Sequence, residues 1–289
     1  MTITIGARHE PMREHTSLRI GGPADVFIRI ASDDDLVGAV QVAREHELPV
    51  FILGGGTNLL VADAGIRGVV LENAWTEDSV DGAAITAASG TPLAHVAAVA
   101  ARAGIEGLEW MATVPGTVGG AVHGNAGAFG SETADVLVDA ELVDLNGHRW
   151  TARVDELGFA YRTSRLQGTP TICATARFRG TLGDRASAVR RIKEMANERI
   201  AKQPLAQPNT GSIFRNPPDD HAGRLIEQAG LKGTTIGGAQ VSQKHANFIV
   251  NLGDATAADV WELMQRCIET VRERFGVTLV PEVERVGEW

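Results

Sequence analysis

Seven glycines fall between residues 107 and 130: Gly107, Gly116, Gly119, Gly120, Gly124, Gly127 and Gly130. Average composition, about 7% glycine, gives about two in a stretch of that length. Bare backbone at this density belongs either to a disordered linker or to a folded segment against which something flat or extended lies. Trp110, Met111, Val114, Val118 and Phe129 are interspersed, and linkers do not carry such side chains. The stretch therefore folds, around Val114-Pro115-Gly116-Thr117-Val118-Gly119-Gly120. A second cluster, Gly54-Gly55-Gly56-Thr57-Asn58, follows the apolar run Val50–Leu53. Glycines directly after a strand let N–H groups approach an anion such as a pyrophosphate, and they equally make a tight turn; the residues leave both readings open. The G-x-G-x-x-G dinucleotide pattern fails, because Leu59 stands at its third glycine position. No Gly-Lys pair occurs, so there is no P-loop.

Periodicity supplies the surrounding elements. Ala24–Ile30 reads as a strand, and Ser32 caps a helix with Asp33, Asp34 and Asp35 in its first turn and a buried stripe of Leu36, Ala39, Val40 and Ala43. Pro49 stops it, and Val50–Leu53 is a buried strand. Gly65 and Gly68 break the chain before a strand at Val69–Leu71. A second unit begins near Ala84. Its helix starts at Thr91-Pro92, buries Leu93, Val96, Ala97 and Ala100, and ends at Gly104. Asn146-Gly147 predicts a hairpin turn between Leu142 and Trp150. Ile172, Ala174, Ala176 and Phe178 predict one face of a strand. The texture changes at Asp184, so the main boundary is expected near residue 185. A charged helix with a stripe of Val189, Ile192, Ala196 and Ile200 leads into a loop at Pro204 and Pro208. The strongest helical pattern is capped by Thr256, buries Val260, Leu263, Met264, Cys267, Val271 and Phe275, and is closed by Gly276. Strands and helices mix without strict alternation, which gives an α+β class.

Twenty-seven cations against 36 carboxylates leave a formal charge of −9 in 289 residues. That balance argues against nucleic acid and anionic membrane surfaces as partners. Cys173 and Cys267 sit far apart in apolar runs and fit no metal spacing, so they read as buried free thiols, and no metal site is expected. His123 and His245 read as packing or hydrogen-bonding residues. Met1–Arg13 carries His9 and Glu10 and no apolar core of a signal peptide, and no apolar run is long enough to span a bilayer. A cytoplasmic protein without membrane insertion is the expectation. Between Arg199 and Pro218 there are three cations (Arg199, Lys202, Arg215) and no acid, a local concentration suited to anionic ligands.

Seven segments in order carry a resemblance: His15–Gly22 (HTSLRIGG), Leu53–Asp63 (LGGGTNLLVAD), Pro115–Gly130, Tyr161-Arg162-Thr163-Ser164, Gly211–Pro217 (GSIFRNP), Gly238–Asn251 (GAQVSQKHANFIVN) and Pro281-Glu282-Val283. In these the chain resembles the UDP-N-acetylenolpyruvoylglucosamine reductases of peptidoglycan precursor synthesis. The resemblance implies an FAD-binding region of the vanillyl-alcohol-oxidase type in two subdomains, 1–75 (joined by 278–289) and 76–184, followed by a substrate-binding domain over 185–277. It implies NADPH as hydride source and the enolpyruvyl ether of a UDP-sugar as acceptor. The lone Tyr161 and the short chain match the class lacking an extra tyrosine-bearing loop.

The same resemblance implies catalytic roles for three residues. Arg162 stabilises the substrate carboxylate and enolate, Ser212 donates a proton, and Glu282 acts with the arginine. Gly54, Gly55, Gly56, Thr57, Asn58, Pro115, Gly116, Thr117, Gly119, Gly120 and Asn125 are implied cofactor contacts. Tyr161, Arg215, Asn216 and Lys244 are implied substrate contacts. Arg215 stands where lysine is common, and the two cations differ in hydrogen-bond geometry. Glu284, close to Glu282, reads as a solvated strand residue. Two alternatives stay open: another flavoenzyme on the same fold, which would share the glycine loops but not the Ser212 and Glu282 motifs, and a nucleotide-binding module without catalysis.

Overall fold

The computed structural model describes residues 6–289. The start of the N-terminal segment read above, Met1–Ile5, lies outside them. The chain divides into two compact units. The first holds residues up to Ala7, Val26–Gly55 and Gly68–Arg199; the second holds Arg8–Asp25, Gly56–Arg67 and Ile200–Trp289. The helix that opens the expected third domain, Arg185–Lys202, is counted almost wholly with the first unit, where Ile192 and Met195 pack against the core. In this division the chain passes from the first unit to the second between Arg199 and Ile200. Ala188 is that helix's buried residue, while Val189 and Ile200 are exposed. Its inward stripe thus keeps Ile192 and the half-buried Ala196 of the expected one, with Ala188 and Met195 in place of Val189 and Ile200.

In the first unit an antiparallel sheet runs in the order Arg149–Arg153, Leu137–Asp144, Thr171–Arg179, Ala84–Ala88, Asp78–Asp81. Leu142 faces Trp150 across the Asn146-Gly147 hairpin, where Gly147 takes a φ of 79°. The strand Thr171–Arg179 departs from simple alternation. Its register against Leu137–Asp144 shifts, with Thr175 opposite Glu141 but Cys173 opposite Leu142, leaving Ala174 as an extra residue. A bulge of this kind swaps the faces of a strand. Hence Ile172 and Ala174 join one core with Leu36, Val40 and Val143, while Cys173, Ala176 and Phe178 join another with Ile85, Val96, Trp110 and Leu142. All four residues expected on one face are buried, but they line two cores. Ser32 caps Asp33–Glu45 by accepting the Asp35 N–H at 3.1 Å. Gly104, at φ 71°, closes Leu93–Ala103. Strand Val50–Leu53 lies parallel to Val69–Glu72 and delivers the first glycine loop.

In the second unit three short antiparallel strands, Thr235–Ile236, Ala239–Val241 and Ile249–Asn251, pack with the helices Ala222–Gln228 and Ala257–Phe275. The long helix buries Val260, Leu263, Met264, Cys267 and Val271, as its periodicity requires. Phe275 is the exception, at 38% exposure beside the Gly276 cap. Its N-terminus receives Asp63, whose two carboxylate oxygens accept from Ala257 N–H at 2.8 Å and Ala258 N–H at 3.1 Å. Strand Glu284–Val286 pairs in parallel with Leu59–Val61. No helix among the described residues is long and apolar enough to cross a membrane.

Candidate active site

The glycine-rich stretch of the first unit is organised by a seven-residue helix, Val118–Gly124. Thr117 caps it, accepting from Gly120 N–H at 3.4 Å. Val118 N–H donates to Thr91 carbonyl at 2.9 Å and Gly119 N–H to Ser89 carbonyl at 2.8 Å. These bonds satisfy the first turn from within the protein. Gly119 must lack a side chain, because a Cβ there would lie 2.9 Å from that of Ser89. Gly120 and Gly124, one turn apart, differ: a Cβ on Gly124 would meet nothing within 4 Å, and one on Gly120 only the Thr117 hydroxyl at 3.6 Å. Val118, Ala121 and Val122 turn the opposite face into the core. The helix so presents a bare strip of backbone to open space, a surface fit for a planar ring. Gly54 adjoins its start, since a Cβ there would lie 2.9 Å from Thr117 Oγ1. Gly116 takes a φ of 119°.

Arg162 is carried by a tight turn. Ala160 and Thr163 bond each other in both directions, at 3.1 and 3.0 Å, leaving Tyr161 and Arg162 at the tip. Arg162 takes φ 57°, a left-handed conformation uncommon for a non-glycine residue. Its guanidinium donates to the carbonyls of Gly127 at 2.8 Å and Asn125 at 3.5 Å. Ser164 donates its hydroxyl to the His123 carbonyl at 2.7 Å, docking the turn on the end of the glycine helix. Asn125, fully buried at φ 46°, uses both ends of its amide: Nδ2 donates to Ala160 carbonyl at 2.9 Å and Oδ1 accepts from Ala134 N–H at 3.0 Å. Its side chain is committed within the protein. Tyr161 is 46% exposed.

The second unit joins the rest of the first glycine loop to the serine and glutamate motifs. Gly56 is a packing glycine: at φ 60°, a Cβ would lie 1.9 Å from the His15 carbonyl oxygen. Gly55 is exposed. Ser17 bridges two motifs, its N–H donating to Gly56 carbonyl at 3.0 Å and its hydroxyl to Asn209 carbonyl at 2.7 Å. Asn209 Oδ1 accepts from Gly211 N–H at 2.9 Å, which shapes the turn before Ser212. Glu282 N–H donates to Ile213 carbonyl at 2.8 Å, so the serine and glutamate segments run side by side. Asn58 holds the same segment, with Nδ2 donating to Glu282 carbonyl at 3.0 Å and its carbonyl accepting from Glu284 N–H at 3.0 Å. Buried Asn247 fixes the other edge, bonding both the N–H (3.0 Å) and the carbonyl (2.8 Å) of Phe214. Ser17 and Asn247 lie inside recognised motifs, yet nothing in their spacing marks them as struts. Asn216 Oδ1 accepts from Ala222 N–H at 3.1 Å at the start of a helix, and the exposed Lys244 donates to Ile200 carbonyl. His245 accepts from Asn247 N–H at 3.2 Å and packs edge-on to Phe248; burial, helped by the Lys232 charge, lowers its pKa. Among the described residues no group of three or more His, Cys, Asp or Glu could hold a metal.

The matches to known proteins define the class, a flavin-dependent oxidoreductase. The FAD-binding domain family matches residues 24–153, and the C-terminal domain family of UDP-N-acetylenolpyruvoylglucosamine reductase matches 203–286. UDP-N-acetylenolpyruvoylglucosamine reductase 2 of Symbiobacterium thermophilum is 48% identical over 282 residues, 97% of this chain and 92% of that one. The reductase of Caldanaerobacter subterraneus is 44% identical over 97% of this chain and 93% of its own length. The crystal structure of the Thermus caldophilus UDP-N-acetylenolpyruvylglucosamine reductase superposes with a TM-score of 0.83 at 36% identity, covering 95% and 97% of the two chains. The chain belongs to the UDP-N-acetylenolpyruvoylglucosamine reductase family.

Proposed function

We propose that Arg162, Ser212 and Glu282 perform, in this chain, the reaction of its family: NADPH-dependent reduction, through FAD, of UDP-N-acetylglucosamine enolpyruvate to UDP-N-acetylmuramate. The observation that carries the assignment is the 2.8 Å bond from Glu282 N–H to Ile213 carbonyl, which holds the candidate acid and the candidate proton donor on adjacent segments. FAD, when bound, supplies hydride transfer from NADPH to C3 of the enolpyruvyl group. Negative charge then builds on the substrate carboxylate as an enolate. Arg162 meets it with a planar fork that matches both carboxylate oxygens. Glu282 works with Arg162 on the enolate, and Ser212 gives its proton to C2.

Gly54, Gly55, Gly56, Thr57, Asn58, Pro115, Gly116, Thr117, Gly119, Gly120 and, through its backbone, Asn125 are assigned to the cofactor, and the bare strip at Gly120 and Gly124 supports that assignment. Tyr161, Arg215, Asn216 and Lys244 are assigned to the substrate. The functional division follows as two flavin-binding parts, 1–75 with 278–289 and 76–184, and a substrate part, 185–277. The cytoplasm, where NADPH and UDP-sugars are found, is the proposed location, with no nucleic-acid partner.

Ser212→Ala tests the reading. Flavin reduction by NADPH needs no proton from Ser212 and stays near wild type. Reoxidation by the enolpyruvyl substrate slows by about 10²–10⁴-fold, the worth of general acid catalysis. Stopped-flow flavin absorbance with each substrate mixed separately reads both steps. Equal slowing of the two assigns Ser212 to the flavin site instead, and no slowing removes it from the mechanism.

A further inference from the structure

We propose that Asn125 is a positioning residue for Arg162, acting on the substrate half of the reaction; this rests on the reading of Arg162 as the charge stabiliser. Three observations converge. The Arg162 turn is strained, at φ 57°, so its shape depends on ties to its surroundings. One side-chain tie is the Asn125 amide, which donates to Ala160 carbonyl at the base of the turn while accepting from Ala134 N–H on the opposite side. It is a strut with a donor at one end and an acceptor at the other. The third observation is that Asn125 and Gly127 offer their carbonyls to the guanidinium itself. Asn125 thereby ties the base of the turn and, together with the shorter contact from Gly127, faces the head group with a carbonyl.

The residue type follows from those demands. An amide donates at one end and accepts at the other in a small volume at any working pH, and asparagine tolerates the left-handed backbone at φ 46°. A leucine or alanine satisfies neither need. An ionised aspartate keeps the acceptor for Ala134 but turns an anion toward the Ala160 carbonyl. The placement on the glycine stretch means that the segment expected to contact flavin also sets the aim of the arginine.

The experiment uses the FAD-loaded protein carrying Asn125→Asp, Asn125→Gly, Arg162→Ala and the Asn125→Asp/Arg162→Ala pair. Reoxidation by the enolpyruvyl substrate is expected to fall about tenfold or more in both Asn125 variants, with flavin reduction by NADPH close to wild type. In the Arg162→Ala background the Asn125→Asp change adds little, because a strut is useless once its load is gone. In Asn125→Asp the deficit shrinks as pH falls, since a protonated carboxyl again donates to Ala160. Amide hydrogen exchange in the flavin-free protein gives a readout apart from turnover, with faster exchange expected over residues 159–166. Additive effects in the double variant, equal slowing of both half-reactions, or unchanged reoxidation overturn the proposal. So does failure of both Asn125 variants to fold, which makes the residue a general support. Wild-type reoxidation in Arg162→Ala overturns the charge-stabiliser reading, and this inference with it; a slowed Arg162→Ala beside an unaffected Asn125→Asp overturns this inference alone.

Discussion

Arg162, the proposed charge stabiliser, is held at a cost at the residue scale. A left-handed non-glycine residue costs about 1 kcal/mol or more, and the turn holds because Ala160, Ser164 and Asn125 bond it from three sides. Its motif was legible in Tyr161-Arg162-Thr163-Ser164, but the strain was not, since φ depends on partners far along the chain. Asn125 shows the same limit. Its motif marks it as a cofactor contact, and the sequence did not show that its buried amide is bonded within the protein, which leaves its backbone for that role. The cysteines were legible because burial alone decides them: desolvation pushes both Cys173 and Cys267 thiols up to about 12. Neither thiol forms a thiolate at neutral pH. Ellman's reagent at pH 8 is therefore expected to label neither cysteine in the native protein and both after unfolding; rapid native labelling contradicts the burial described.

Elements were legible where one face decides their fate. The helix Ala257–Phe275 and its caps follow from spacing alone. The strand Thr171–Arg179 did not, because a bulge is set by the partner's register and leaves no local mark. The helix Arg185–Lys202 is polar on most sides, so a small turn about its axis leaves its apolar count nearly unchanged, and packing chooses Ala188 and Met195 over Val189 and Ile200. Asp63 is a similar case: it ends the glycine-loop motif, yet its work is to cap a helix 194 positions away in sequence. It places a carboxylate against two unsatisfied N–H groups at the positive end of the dipole. Asp63→Ala is expected to cost about 1–2 kcal/mol of stability, seen as a lower urea midpoint with an unchanged slope. An unchanged midpoint removes Asp63 from the list of caps.

At the scale of the whole molecule, the glycine strip supplies shape rather than a nucleophile, so a flavin held without a covalent link is expected. Acid precipitation of the purified protein is expected to leave the yellow colour in the supernatant; colour in the pellet points to a bond, with His123 the candidate on the strip. The order of motifs was readable along the chain, but not that residues 8–25, 56–67 and 200–289 form one body. That arrangement sets a timetable. On a ribosome, Leu60 and Val61 emerge early and wait for Arg285 and Val286, their partners in the strand pair. At about 5–20 residues per second the wait lasts on the order of tens of seconds. Asn58, in the loop assigned to FAD, meets Glu282 and Glu284 only then. Until that moment a nascent chain lacks the partners that hold Asn58 in place, so this end of the glycine loop is among the last parts of the second unit to be fixed.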